Sequence, residues 1–281
     1  MANLRDIRLR MRAIQQTLQV TKAMNLISTS KLRKGRRTLE DTEPYFTRIK
    51  KAVFDIVSSA GNVRSDFFRR KEVKHTAVVV ISSDKGLAGG YNANVFKQVN
   101  KVCETLREPL LITIGNTAFR HFSHSPFNVL ENFSFASQLP SLDNAKEIAD
   151  YIISQFLWGY FDEVHLVYTH MFSAVKLVPE NIQLLPISAE KIQEEIARAG
   201  GVKRVDLRFE YIPSEEEVFD ALVPIYIKGV IYGALVEAYA SEQSARMTAM
   251  DESSKNAEDM LAKLQVFYNR MRQAVITQEM T

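Results

Sequence analysis

The chain has 281 residues, of which 46% are hydrophobic, 25% charged and 10% aromatic. This excludes disordered, collagenous and small disulfide-scaffold classes and fits one or two globular domains. Its single cysteine, Cys103, excludes an internal disulfide and a cysteine-cluster zinc site and fits a reducing compartment. The net charge of +3 is unevenly spread: residues 1–59 hold thirteen basic and five acidic side chains, 60–207 sixteen of each, and 208–281 seven basic and twelve acidic. A basic N-terminal segment can therefore attract an acidic C-terminal one, or another acidic partner.

From Leu4 the apolar residues recur at steps of three and four: Leu4, Ile7, Met11, Ile14, Leu18. The same phase runs through Thr21, Asn25 and Ser28 to Leu32 and Leu39, the seam of a coiled coil with a polar middle. Pro44 is expected to bend the helix at most, because Phe46, Ile49, Val53 and Ile56 resume the spacing before Gly61-Asn62 stops it. The arginines at 5, 8, 10 and 12 also suit a cleaved organellar targeting peptide. Against that, the seam continues past Met24, and cleavage would strand half a coiled coil.

In the middle the period changes. His75–Ser82 is a β-branched run followed by a glycine-rich turn and a helical stretch over Asn92–Arg107. Leu110–Ile114 and Glu163–Thr169 are further strands, Asp143–Phe156 is helical, and Lys176–Leu185 can pair beside Glu163–Thr169. Strands alternating with helices predict a mostly parallel sheet covered on both faces, with Thr76–Ile81 central because Ala77–Ile81 is apolar without alternation. Gly200-Gly201 predicts a loop before the last connection.

Pro213-Ser214-Glu215-Glu216-Glu217 is the capping signature of a second long helix, with Ser214 as cap and Glu217 three residues on. Leu222–Leu235 is apolar around most of the helix, which predicts burial on the central body. Lys228 interrupts the Val218–Ala240 stretch and Asp220 and Glu237 flank it, so no membrane span is expected. A second seam then follows at Met247, Met250, Ser254, Ala257, Leu261, Leu264, Tyr268, Met271 and Val275. The fold class is thus α/β with a long antiparallel two-helix coiled coil: 1–59 an N-terminal helix, 75–207 a Rossmann-like globular domain, 214–281 a C-terminal helix. If the helices leave the body level, near Ser58 and Ser214, opposing residues have numbers adding to about 272. Met24 then lies near Thr248 and Leu4 near Tyr268, and everything after Met271 overhangs.

Chemistry-bearing patterns are sparse. The turn Ser82–Gly90 sits where a phosphate-cradling loop would, yet matches neither the P-loop nor the dinucleotide fingerprint, and a tight strand-to-helix turn also asks for small residues there. His121-x-x-His124 has no carboxylate at helical spacing, no Gly-x-Ser-x-Gly elbow occurs, and Cys103 falls inside a helical stretch. The basic run Arg33–Arg37 has no neighbouring aromatics to stack bases. An enzyme with a nucleotide-binding body and a nucleic-acid-binding arm are the rival classes, and neither explains the acidic second helix.

Three sets of residues carry a resemblance. They are Ile14–Leu32 around Thr21-Lys22-Ala23-Met24; the turn Ser83-Asp84-Lys85-Gly86-Leu87-Ala88-Gly89-Gly90-Tyr91-Asn92; and Ala240–Met250 with Asn256-Ala257 and Tyr268–Glu279. Together they are similar to the gamma-subunit family of F-type ATP synthases, the central rotor shaft, with Lys85 and Ala88 where the family pattern has Arg and Cys. Members usually run several residues beyond the Gln-Glu that here precedes Thr281. The resemblance implies a noncatalytic subunit without cofactor or metal, turning inside a hexamer of alternating alpha and beta subunits and coupling ion translocation to ATP synthesis or hydrolysis in beta. Its implied partners are alpha, beta, the epsilon subunit and the membrane rotor ring of c subunits, without nucleic acid or direct membrane insertion. Contacts to beta carry over to Lys22, Met24, Arg246, Arg272, Gln273 and Thr277, while Asp84, Gly86, Gly89 and Gly90 form a structural turn. The absence of a leader before the first helix predicts a bacterial source, and hence a peripheral place at the cytoplasmic face of the cell membrane.

Overall fold

The computed structural model describes residues 4–59, 65–68, 73–138, 140–188 and 211–279. Helix α1 (Leu4–Ser59) runs for 56 residues without a break at Pro44. The central body follows as β1 (Thr76–Ile81), α2 (Tyr91–Cys103), β2 (Pro109–Ile114), α3 (Asn116–Phe122), β3 (Asn128–Asn132), α4 (Leu142–Leu157), β4 (Glu163–Met171) and β5 (Leu177–Leu185). The last described helix, α5 (Glu215–Glu279), has 65 residues and passes through Pro224. It starts as its cap residues dictate: the Glu217 N–H donates to Ser214 Oγ at 3.2 Å, and the Ser214 hydroxyl in turn donates to Glu217 Oε1 at 3.3 Å.

The sheet has the order β3-β2-β1-β4-β5, parallel except for the antiparallel β4–β5 hairpin. All six residues of the central strand β1 are buried, as its unalternating apolar run requires. Its odd side chains, Ala77, Val79 and Ile81, enter the larger apolar cluster with α4, the end of α1 and the first half of α5. The even ones, Val78 and Val80, pack under α2 and α3 with Val95, Val99 and Phe122. Two elements escape sequence reasoning. The edge strand β3 has a half-exposed pattern with only Val129 and Leu130 apolar, and α3 spans seven residues, too few for a 3.6-residue period to show. The Gly61-Asn62 stop and the Gly200-Gly201 loop lie outside the described residues.

By length and composition α5 is apolar enough to cross a bilayer, a point the sequence expectation undercounts because it required an uninterrupted apolar run. In the structure the apolar half of α5 packs on the body, with Phe219, Val223, Ile227, Ile231 and Leu235 buried and Lys228 paired to Asp150 of α4 at 2.9 Å. Here α1 and α5 approach so closely that a Cβ built at Gly229 would lie 2.2 Å from Phe46 Cδ1. Alanine favours a helix over glycine by about 1 kcal/mol, whereas overpacking costs about 1–3 kcal/mol. Gly229→Ala is therefore expected to lower the thermal midpoint, and an unchanged or higher midpoint would show that the Phe46 ring yields freely.

Candidate functional site

The residues singled out from sequence fall into two regions: the coiled coil, and the junction where it meets the glycine-rich turn. Along the coiled coil both seams are as the spacing demands. Ile7, Thr21, Ser28 and Leu32 of α1 and Met250, Ser254 and Ala257 of α5 are buried, while most residues between the seam positions are exposed. The polar middle pairs across the seam: the Thr21 and Ser254 hydroxyls are 2.8 Å apart in a buried hydrogen bond, and Asn25 Nδ2 donates to the Met247 carbonyl at 3.0 Å. Shifting one helix by a turn would leave these groups unpaired, so they specify register at some cost in stability.

That register agrees with the level-helix expectation at Asn25 and Met247 and drifts toward the tip. Thr21 meets Ser254, and Arg8, rather than Leu4, meets Tyr268 by a hydrogen bond and by a guanidinium 5.5 Å from the ring centroid. Lys22 is exposed on the outside of the rod and bridges to Glu258 at 2.6 Å; Met24 is half-buried beside it. Arg272, Gln273 and Thr277 are exposed on the last turns of α5, with the Thr277 hydroxyl donating to the Gln273 carbonyl at 2.9 Å.

Arg246 stands apart from these five. It is buried, and its Nη2 donates to Glu242 Oε1 at 2.6 Å and to the carbonyls of Lys85 and Gly86 at 3.3 and 3.1 Å. Its guanidinium thus bonds the turn within this chain instead of lying open on the rod's outer surface. Burial pushes the Glu242 carboxyl up, Arg246 pulls it down, and Asp84 adds to the rise. Beside it the Tyr91 hydroxyl donates to the Ala238 carbonyl at 3.2 Å, and burial followed by the Glu242 charge pushes that phenol up.

The turn is closed by its own polar groups. Asp84 Oδ1 accepts from the Asn116 N–H at 2.8 Å, Ser82 Oγ accepts from the Ala118 N–H at 3.0 Å, and Asn92 Oδ1 accepts from the Ser83 N–H and hydroxyl at 3.2 and 3.0 Å. Toward α5 it presents carbonyls, filled by Arg246, where a phosphate would need N–H donors. The glycine requirement differs from expectation at Gly86. There φ is ordinary and a Cβ would meet open space, while the left-handed backbone is taken by Leu87 (φ 64°) and Gly89 (φ 55°). Gly90 is the N-cap of α2. Sequence spacing does not point to Asn92 or to Thr117, whose hydroxyl donates to Ser82 Oγ at 3.1 Å; for Glu242, a Glu four residues before an Arg on a helix signals such a pair.

A second set of polar contacts lies on the adjacent stripe of α5. Glu237 Oε1 accepts from the Met171 N–H at 3.1 Å and lies 2.6 Å from His170 Nδ1; burial raises the Glu237 carboxyl, with His170 the main opposing influence. The Ser241 and Ser244 hydroxyls donate to the carbonyls of Thr169 and Ala174 at 3.2 and 2.7 Å. Between the two sets opens a cleft of about 300 Å³ walled by small residues such as Gly89, Gly90, Ala174 and Ala249, with Glu252 its one carboxylate among the described residues.

A two-helix rod carried on a doubly wound α/β body is the architecture of a stalk subunit, and the comparisons agree with it. A family model described as ATP synthase matches residues 3–281. An ATP synthase gamma chain of Ruminiclostridium cellulolyticum is 44% identical, covering 99% of this chain and 96% of its own length. A sodium-ion-specific ATP synthase gamma chain of Acetobacterium woodii is 36% identical, with 99% and 96% covered. A rotor chain in the Euglena gracilis mitochondrial ATP synthase superposes with a TM-score of 0.68 at 16% identity, covering 97% of this chain and 98% of that one, and so shares the fold. The chain belongs to the ATP synthase gamma chain family.

Proposed function

We propose that this chain is the noncatalytic central shaft of a bacterial F-type ATP synthase, turning inside a hexamer of alternating alpha and beta subunits and linking it to the membrane rotor ring. The observation that carries this is the rod itself: beyond the body, α5 continues from about Ser254 to Thr277, paired with α1 through Thr21–Ser254, Lys22–Glu258 and Arg8–Tyr268. At ~1.5 Å per residue that is a projection of roughly 35 Å. A two-stranded rod has no threefold symmetry, so inside a threefold collar each beta subunit meets a different face, and each angle favours a different conformation in each of them. Preferences that differ by ~10⁴-fold need about 5.5 kcal/mol of differential contact, within reach of several contacts along the rod.

Lys22 and Met24 midway, and Arg272, Gln273 and Thr277 at the tip, are the proposed contacts to beta. Arg246 would contribute through the turn it holds. The division into an N-terminal helix over 1–59, a body over 75–207 and a C-terminal helix over 214–281 follows these roles, with the body at the cytoplasmic face of the membrane beside the c ring and the epsilon subunit. The test is assembly with purified alpha and beta subunits, followed by rotation and ATP-driven ion pumping. A chain ending at Met271 should keep the coiled coil and its melting temperature but lose fixation at the tip, seen as weaker retention in the hexamer and reduced pumping per ATP. Unaltered retention and pumping would place the tip outside the functional contacts, and failure of the full chain to assemble would overturn the shaft.

A further inference from the structure

Helix α5 meets the body through two chemically different stretches. From Phe219 to Leu235 the contact is mainly apolar, with Phe219, Val223, Ile227 and Ile231 buried in the main cluster and one partly exposed ion pair, Lys228–Asp150, at its edge. Apolar burial is non-directional; it resists separation of helix and sheet but tolerates small rotations about the helix axis. From Glu237 to Ser244 the contact is polar and directed. Glu237, Ser241 and Ser244 lie at steps of four and three on one stripe, and all bond the backbone or side chains of 169–174, the end of β4 and the loop beyond it. Because β4 pairs with the central strand β1, this anchoring segment continues directly from the sheet.

We propose that Glu237, Ser241 and Ser244 are the positioning residues that set the angle of the shaft on the body and carry torque between them. This rests on the shaft function above. Side-chain atoms of a helix stand about 5 Å from its axis, where a bond to a fixed carbonyl opposes rotation directly. The Ser244 bond is short at 2.7 Å and the Ser241 hydroxyl is fully buried, so neither exchanges freely with water. Arg246, with its bonds to the carbonyls of Lys85 and Gly86, holds the neighbouring stripe against the glycine-rich turn and limits rotation toward the other side.

The experiment uses the chain assembled in the alpha–beta hexamer, with the shaft tip held by the hexamer and a bead fixed to the body. The angular variance of the bead reports torsional stiffness, which a merely structural role would leave unchanged. Ser241→Ala/Ser244→Ala should raise that variance, by up to roughly two-fold, because two of the four directional contacts of this stripe are removed; the carbonyls left without donors lower the thermal midpoint somewhat, and assembly is retained. Ser241→Thr/Ser244→Thr keeps both hydroxyls but adds a methyl at two fully buried positions, so it serves as the rescue where its thermal midpoint matches the parent's, and there it should restore the parental variance. If the double alanine chain does not assemble, the two single alanine chains are compared, each expected to show a smaller rise. An unchanged variance in the alanine chains, or an equal rise in a threonine chain of parental thermal midpoint, would overturn the assignment. A parent chain that fails to rotate would overturn the shaft function together with it.

Discussion

A Val79→Asp chain is expected to unfold at far lower urea than the parent, with a loss of at least about 3 kcal/mol if the carboxylate stays unpaired. Val79 is fully buried at the middle of β1, between β2 and β4, opposite Ile112 on one side and Leu166 on the other. Its side chain faces the cluster in which the sheet, α4, α1 and α5 all meet, so the charge would have neither water nor a partner. Loss at this point should loosen the attachment of both long helices, and the helical and sheet signals should fall together. Equal urea midpoints for variant and parent would be incompatible with a central, doubly covered strand.

Arg246→Met should cost about 3–5 kcal/mol at neutral pH, the usual penalty for leaving one member of a buried ion pair without its partner. The group left behind is Glu242, already raised by burial above its ordinary 4.5 and lowered chiefly by Arg246. Without the guanidinium its pKa rises further. A carboxyl whose folded pKa lies above the unfolded one favours the fold below the unfolded value and loses that advantage as pH climbs through the folded value. The deficit of Arg246→Met against the parent should therefore be widest at neutral pH and shrink as pH falls toward 4.5. Glu242→Gln/Arg246→Met should recover most of the loss, because no buried charge remains unpaired. A deficit that is flat with pH, or absent, would mean that the pair does not hold the turn as the geometry indicates.

The seam positions of both long helices, the buried strand β1 and the capped start of α5 were all legible before any tertiary structure. Each depends on a local or strictly periodic signal: three-and-four spacing from Leu4 to Leu39, an unbroken apolar run at Ala77–Ile81, and Ser214 three residues before Glu217. The pairing register was also close, because two helices with the same rise that leave one body can be counted against each other, and Asn25 meets Met247 as counted. The family followed from residues spread over the whole chain, from Thr21-Lys22-Ala23-Met24 to Tyr268–Glu279.

What spacing could not reveal is which side of α5 each polar residue serves. The resemblance offers Arg246 as a contact to beta, and spacing marks neither Ser241 nor Ser244, nor Glu242 beyond its step of four to Arg246; all four are buried. The partners of Arg246, Ser241 and Ser244 include backbone carbonyls of Lys85, Gly86, Thr169 and Ala174, 70 residues or more away in the chain, and Glu242 is held in turn by Arg246. Carbonyls carry no residue identity, so a motif cannot register them. Only the closing of the sheet, which brings the ends of β1 and β4 to the same helix, turns a polar stretch of α5 into the junction between shaft and body.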